Sequence, residues 1–309
     1  MTPRSAKPQL AVDLAGLKLR NPTILASGIV GTTVSMLSRV YEAGAGAVIS
    51  KSVSLRPREG YVSPTIVEVD GGYLNAIGLS NPGVDEFIQE LNEAKPVNWP
   101  IIASVFGGAS KEFSETIKRL DKMPVQAFEL NLSCPHVEGV GLEIGQDPAL
   151  TKDVVRAAKN HTSKPVIAKI NAGVTDPVEI AVAAEKAGAD AITAINTLRA
   201  MTIDIETGRP LLANKIGGLS GPALKPIAIR CVYEVSQNVK IPVIGSGGIC
   251  SWKDTVEFLL AGATAVQIGT VLSYKNLDIF NEVTNGILEY LATKKYRSVK
   301  EIVGLSHSY

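Results

Sequence analysis

The chain has 309 residues, 45% hydrophobic and 20% charged, with a formal net charge of +1. That composition gives a globular chain ample core, and the near-neutral balance argues against nucleic acid as the main partner, because no basic excess exists to neutralise phosphates. The three cysteines, Cys134, Cys231 and Cys250, form no C-x-x-C pair; they cannot supply four ligands to a zinc ion or an iron–sulfur cluster, and their odd number argues against a disulfide framework.

After a polar lead-in, residues 22–26 are predicted as a short apolar strand ending in Ser27-Gly28. A helical pattern runs to Ala43, closed by Gly44, and residues 47–50 form a second strand ending at Lys51. Residues 52–81 are rich in Gly, Pro and β-formers, with Asp70-Gly71-Gly72 as a hairpin signal. This stretch is too long for an ordinary connection and reads as a functional insertion. Helix 84–94, strand 100–106, helix 110–121 and strand 125–132 follow. Next come helix 149–161, strand 165–170, helix 176–187 and strand 190–195, then a second long insertion over 196–221. Helix 222–237, strand 242–245, helix 251–261, strand 264–269 and a C-terminal helical region complete eight units.

Three stretches, starting at Ala43, Ala187 and Ala261, share the pattern Ala-Gly-Ala-x-Ala-(Val or Ile). In each, Gly ends a helix in a left-handed conformation and a buried strand begins. Their spacing suits β/α units of about 36 residues. The expected fold is therefore α/β, a single (β/α)8 TIM barrel domain over 1–309 with insertions over the C-terminal mouth. The competitor is a doubly wound open sheet, which has no reason to return after eight units. Residues 1–10 hold no apolar signal-peptide core, and no run approaches 18 apolar residues, so neither a secretory leader nor a membrane span is expected. A reducing cytoplasm is the expected compartment.

Chemistry-bearing residues collect at predicted strand ends, where barrels of this type place their sites. Phe128-Glu129-Leu130-Asn131-Leu132-Ser133-Cys134-Pro135-His136 is an apolar strand that stops in a reactive cluster. Pro135 keeps Cys134 out of the helical region, so the thiol is expected on a stiff loop, and beside Ser133 and His136 at a strand end it reads as a nucleophile or base rather than a buried hydrophobe. Gly245-Ser246-Gly247-Gly248 and Gly269-Thr270 follow the seventh and eighth strands, the usual phosphate-binding loops, and neither has dinucleotide spacing. Glycine suits such loops because a Cβ blocks close approach of the backbone. Lys51 and Lys169 sit at or in apolar strands; each either forms an ion pair with a barrel carboxylate such as Glu129 or faces a charged ligand. Asn75, Asn131 and Asn196 recur at matching places and offer donors and acceptors to a planar polar ligand. His161 and His307 read as surface residues.

Together these residues resemble the class 1 dihydroorotate dehydrogenases, most closely the catalytic subunit of the NAD-linked type. The resemblance rests on Asn75-Ala76-Ile77-Gly78-Leu79-Ser80-Asn81-Pro82-Gly83, Asn131-Leu132-Ser133-Cys134-Pro135, Ile195-Asn196-Thr197-Leu198 and Gly217-Gly218-Leu219-Ser220-Gly221-Pro222. It implies oxidation of dihydroorotate to orotate in pyrimidine (UMP) biosynthesis, with FMN as cofactor. The FMN phosphate would lie on Gly247, Gly248, Gly269 and Thr270 near Gly221; Ser27, Lys51, Ser52, Asn131, Lys169 and Ile195 would line the flavin. Substrate would be held by Lys51, Asn75, Asn131, Asn196 and Thr197 and the segment Ala76, Ile77, Gly78 and Leu79, with Cys134 as base. No metal is implied. The implied partner is an iron–sulfur and FAD subunit passing electrons to NAD, around a homodimer core of a heterotetramer.

The chain departs from the family pattern in two places: His136 and Ser104 each stand where the family commonly has Asn. Ser133-Cys134-Pro135-His136 with Gly145-Gln146-Asp147 is also similar to dihydropyrimidine dehydrogenases. Those tend to carry cluster-binding cysteines, and uracil needs no carboxylate site of the kind Lys51 and the Asn75 loop supply. A non-redox phosphate-binding barrel, a lyase or isomerase using Lys51 or Lys169 as a Schiff base, is the alternative from another reaction class.

Overall fold

The apolar runs between helices close into a ring in this computed structural model, which describes residues 8–94, 97–133, 144–174 and 176–309. In chain order the strands are β1 (Val12–Leu14), β2 (Leu17–Leu19), β3 (Thr23–Leu25), β4 (Ala47–Ile49), β5 (Ile66–Val69), β6 (Gly72–Asn75), β7 (Ile101–Val105) and β8 (Ala127–Asn131). They continue as β9 (Val166–Ile170), β10 (Ala191–Ala194), β11 (Leu198–Ala200), β12 (Ile203–Asp204), β13 (Arg209–Pro210), β14 (Gly217–Ser220), β15 (Val243–Ser246) and β16 (Ala263–Ile268). The helices are α1 (Val34–Glu42), α2 (Val84–Glu93), α3 (Ser110–Leu120), α4 (Pro148–Lys159), α5 (Pro177–Lys186), α6 (Lys225–Asn238), α7 (Trp252–Leu260) and α8 (Ile279–Lys294).

Eight strands form a closed parallel barrel in the order β3-β4-β7-β8-β9-β10-β15-β16. The decisive pairing is β16 on β3, through Val266 opposite Thr23 and Ile268 opposite Leu25. An open doubly wound sheet lacks this bond between first and last strands. The helix starts follow ordinary capping chemistry: Asp147 and Asp176 accept from the first-turn N–H groups of α4 and α5, each with Pro at the first helical position, and Ser251 caps α7. After α1, α5 and α7 the repeated Ala-Gly stop appears as expected, with Gly44, Gly188 and Gly262 at positive φ. The predicted helix at 222–237 begins instead as a 3-10 turn, Pro222–Leu224, before α6.

The larger apolar core lies between the outer barrel face and the helices and includes Phe113, Phe128, Phe258 and Phe280, all fully buried. A second cluster fills the barrel itself, with Ile24, Ile49, Ile102, Ala127, Ile167, Ala191, Ile244 and Ala265 pointing inward. The polar lead-in expected before residue 22 is in fact a hairpin. Strands β1 and β2 pair antiparallel, and their Leu14 and Leu19 join the barrel-filling cluster and close its N-terminal end. His307 also departs from expectation. It is half-buried, edge-on to Tyr233, and its ring donates to the Ala261 carbonyl at 3.1 Å, satisfying the end of α7. His161 is exposed, as expected.

The two long insertions meet. Strands β5 and β6 from the first and β11 and β14 from the second make one four-stranded sheet, ordered β11-β14-β6-β5. Gly218 pairs with Asn75 and Leu219 with Leu74 across the junction. A small core of Leu74, Ala76 and Leu212 supports it.

Candidate active site

The barrel interior changes chemistry along its axis. At the hairpin end the inward residues of β8, β9, β10 and β16 are Ala127, Ile167, Ala191 and Ala265. Two residues further on, by the period of a strand, stand Glu129, Lys169, Thr193 and Gln267. Two further again stand Asn131 at the end of β8 and Asn171 just past β9. Above them opens a cavity of about 740 Å³, within the usual size of a cofactor or small-molecule site.

Lys169 and Glu129 realise both readings that the sequence leaves open. Their charged groups lie 3.6 Å apart, fully or nearly fully buried, and both line the cavity. Lys51, two residues past β4, is different. It is half-buried in the cavity wall, and no carboxylate among the described residues pairs with it. Burial pushes its pKa below the ordinary lysine value. A cation partly withdrawn from water without a counter-charge favours an anionic ligand.

A continuous chain of short polar side chains runs across the mouth. Ser27 Oγ donates to the Ser50 carbonyl at 2.9 Å and lies 3.3 Å from Ser52 Oγ. Ser52 meets Ser104 at 2.8 Å and receives Asn131 Nδ2 at 3.3 Å. Asn131 in turn accepts from Asn196 Nδ2 at 3.1 Å, whose own Oδ1 accepts from the Thr197 N–H. Ile195 is buried at the end of β10 and lines the same cavity. Asn75 arrives from the insertion sheet, where its Nδ2 donates to the Gly218 carbonyl at 3.1 Å. Ala76, Ile77, Gly78 and Leu79 continue that wall. Leu79 holds a left-handed φ of +57°, and buried Asn81 braces it by donating to its carbonyl at 2.9 Å while accepting from the Gly83 N–H.

Gly221, Gly247, Gly248, Gly269 and Thr270 line another part of the wall. Glycine is expected here for ligand approach; at Gly248 the structure supplies another reason. Its φ is +73°, and a Cβ would meet Lys225 Cβ at 2.7 Å and the Gly221 carbonyl at 2.9 Å, so the residue is required where this loop packs on the start of α6. The backbone N–H groups of Gly247 and Gly248 find no acceptor among the described residues. Free donors in a concave wall suit an anionic group. Every expected site residue lines this one cavity except Cys134, which lies outside the described residues with Pro135 and His136.

Residues 9–291 match the dihydroorotate dehydrogenase family. The chain belongs to that family. It is 51% identical over 297 residues to the protein named dihydroorotate dehydrogenase B (NAD(+)), catalytic subunit, of Pyrococcus abyssi, covering 96% of this chain and 99% of that one. Proteins of the same name from Methanothermobacter thermautotrophicus and Methanosarcina mazei are each 49% identical over 300 residues, covering 96% of this chain and 98% and 95% of theirs.

In this dihydroorotate dehydrogenase family member the polar residues that escape the reading from sequence include Gln267 and Asn171 in the cavity lining and Thr193 beside Glu129. A signal for Gln267 exists, since a lone amide inside Ala263–Ile268 is costly unless bonded. Asn171 donates to the Thr197 carbonyl at 3.3 Å and accepts from the Gly173 N–H, linking the β9 and β10 loops. Cys250 lines the cavity as well, but burial and then the Asp254 carboxylate push its thiol above the ordinary range, which leaves less of it as thiolate.

Proposed function

We propose that this chain oxidises (S)-dihydroorotate to orotate, in pyrimidine biosynthesis, with FMN as hydride acceptor. The observation that carries the reading is Lys51, a partly desolvated cation with which no carboxylate among the described residues pairs, facing a cavity edged by Asn75, Asn131 and Asn196. A small planar acid bearing imide groups satisfies that set of donors and acceptors. Schiff-base chemistry explains the lysine but not the row of amides.

The residues present fit FMN. Gly247 and Gly248 offer N–H donors that no acceptor among the described residues engages for its phosphate, with Gly221, Gly269 and Thr270 in the same cavity lining. Ser27, Ser52, Asn131 and Ile195 would line the ring system, with Lys51 at its edge. When bound, FMN supplies two-electron redox chemistry that no side chain offers. Lys169 would place a fixed cation where negative charge accumulates. Lys51 would hold the substrate carboxylate, and Asn75, Asn131, Asn196, Thr197 and the Ala76, Ile77, Gly78 and Leu79 segment would fix the ring. Cys134 is proposed as the base: its sulfur takes the C5 proton as the C6 hydride leaves, and the C5–C6 double bond forms. A thiol with an ordinary pKa of about 8.5 is a workable base at mildly alkaline pH.

The relatives are named as catalytic subunits, which supports a second subunit here. We extend the proposal to an iron–sulfur and FAD subunit that carries electrons to NAD, around a homodimer of this chain as one cytoplasmic barrel domain over 1–309. Among the described residues no helix is long and apolar enough to cross a membrane. The test is purification of the chain, identification of bound flavin by absorbance, and assay of dihydroorotate oxidation with a dye or with NAD. A colourless protein inert with dihydroorotate, or a preference for dihydrouracil, would overturn the reading. Brisk NADH formation without a second protein would remove the partner.

A further inference from the structure

Four polar side chains occupy one level of the barrel interior, two residues along the strands from the aliphatic level of Ala127, Ile167, Ala191 and Ala265. Glu129 is wholly buried, and its Oε2 accepts from Thr193 Oγ1 at 2.9 Å and from Gln267 Nε2. The Gln267 carbonyl accepts from Lys169 Nζ at 2.8 Å. These contacts fix the amide's orientation, because a flip would set amine against ammonium and oxygen against carboxylate. Glu129 Oε1 has no hydrogen-bond partner among the described residues, and the group it faces is the Lys169 ammonium, 3.6 Å away.

A buried carboxylate oxygen without a hydrogen bond costs free energy, and an apolar quartet of similar volume fills a barrel without that cost. Packing alone therefore does not account for the arrangement. We infer that Glu129 is a positioning residue: with Thr193 and Gln267 it holds the Lys169 ammonium at the cavity floor and offsets part of its charge. Lys169 spends one donor on Gln267, and two remain for the cavity and the Glu129 side. In a low-dielectric interior a carboxylate this close cancels part of the ammonium's field. The stabilisation offered to negative charge in the cavity is then set by the pair and not by the lysine alone. This inference rests on the reading of the cavity as an FMN site.

The test compares wild type, Glu129→Gln and Gln267→Met. Its readouts are redox titration of the bound flavin, FMN affinity of the apoprotein by fluorescence quenching, and thermal stability. Glu129→Gln keeps the shape and removes the charge; the bound flavin should be reduced more readily, by about tenfold in equilibrium constant, or about 30 mV for a two-electron couple. Gln267→Met cuts the bridge, and FMN affinity should fall about tenfold, as for loss of a hydrogen bond to a charged group. A flavin potential and FMN affinity unmoved in both variants, whatever happens to Tm, would overturn the inference and leave the quartet a barrel filler. If Glu129→Gln does not fold, Gln267→Met decides on affinity alone. A wild-type chain that binds no FMN overturns the functional reading and this inference with it, whereas normal binding with unmoved variants overturns the inference only.

Discussion

The barrel wall and the insertion sheet hold the cavity's two lysine environments by opposite means. In the wall, Lys169 stands on a strand whose register is set by closure of eight parallel strands, and its neighbours supply both a carboxylate and an amide. At the foot of the first insertion, Lys51 lines the cavity with Asn75, an amide borne by a small sheet that two distant segments assemble, and no carboxylate among the described residues pairs with it. The difference teaches where a counter-charge comes from. A cation whose partner is built into the fold conditions the cavity, and one without a partner takes it from the ligand.

The sharpest break of that comparison is to remove the built-in partner. Glu129→Ala leaves a buried ammonium uncompensated and should destabilise the chain by about 3–5 kcal/mol, read as a fall in the denaturant midpoint. A midpoint equal to wild type would mean the wall does not depend on the pair. Lys51→Met should leave folding nearly intact and lower kcat/KM for dihydroorotate ~100-fold, from the loss of about 3 kcal/mol of charge-assisted bonding. The same lysine predicts a pH limb. Its ammonium is the binding form and its pKa is lowered by burial, so KM should rise as pH climbs through that lowered value. Lys51→Met should abolish the limb, and its persistence would assign it to another group.

Gly218→Ala probes the insertion sheet alone. A Cβ there would lie 2.2 Å from Thr197 Oγ1, so Thr197 must shift, at a cost of about 1–3 kcal/mol. The expected outcome is a raised substrate KM with FMN affinity unchanged; equal loss of both would show that the sheet and the wall act as one unit. The smallest effect is expected for Ser104→Ala, which deletes the 2.8 Å contact to Ser52 and about 1 kcal/mol of hydrogen bonding. Flavin dissociation should quicken modestly, and substrate KM should stay put.

Much of the barrel was legible because its signals are local. Gly-terminated helices and short apolar strands recur with a regular spacing, and each polar cluster sits at a strand's end. Lys169 and Lys51 stood out by the same logic, as costly residues in or beside apolar runs. The β1–β2 hairpin was hidden because its strands have three residues each, with exposed Asp13 and Lys18 masking buried Leu14 and Leu19. The burial of His307 leaves no local signal, because its partner, the Ala261 carbonyl, lies 46 residues away in the chain.

The order of strands and helices, and the residues at strand ends, were set by the sequence itself, since periodicity and capping act over a few residues. Tertiary structure alone decided which of those ends meet. Glu129, Thr193 and Gln267 come from three strands, 64 and 138 residues apart from Glu129, and only barrel closure aligns their levels. Asn75 and Gly218 lie 143 residues apart, and only pairing of the two insertions carries that amide to the cavity. Whether a lysine in an apolar strand finds a partner or waits for a ligand is a question of neighbours across the sheet, which no local pattern encodes.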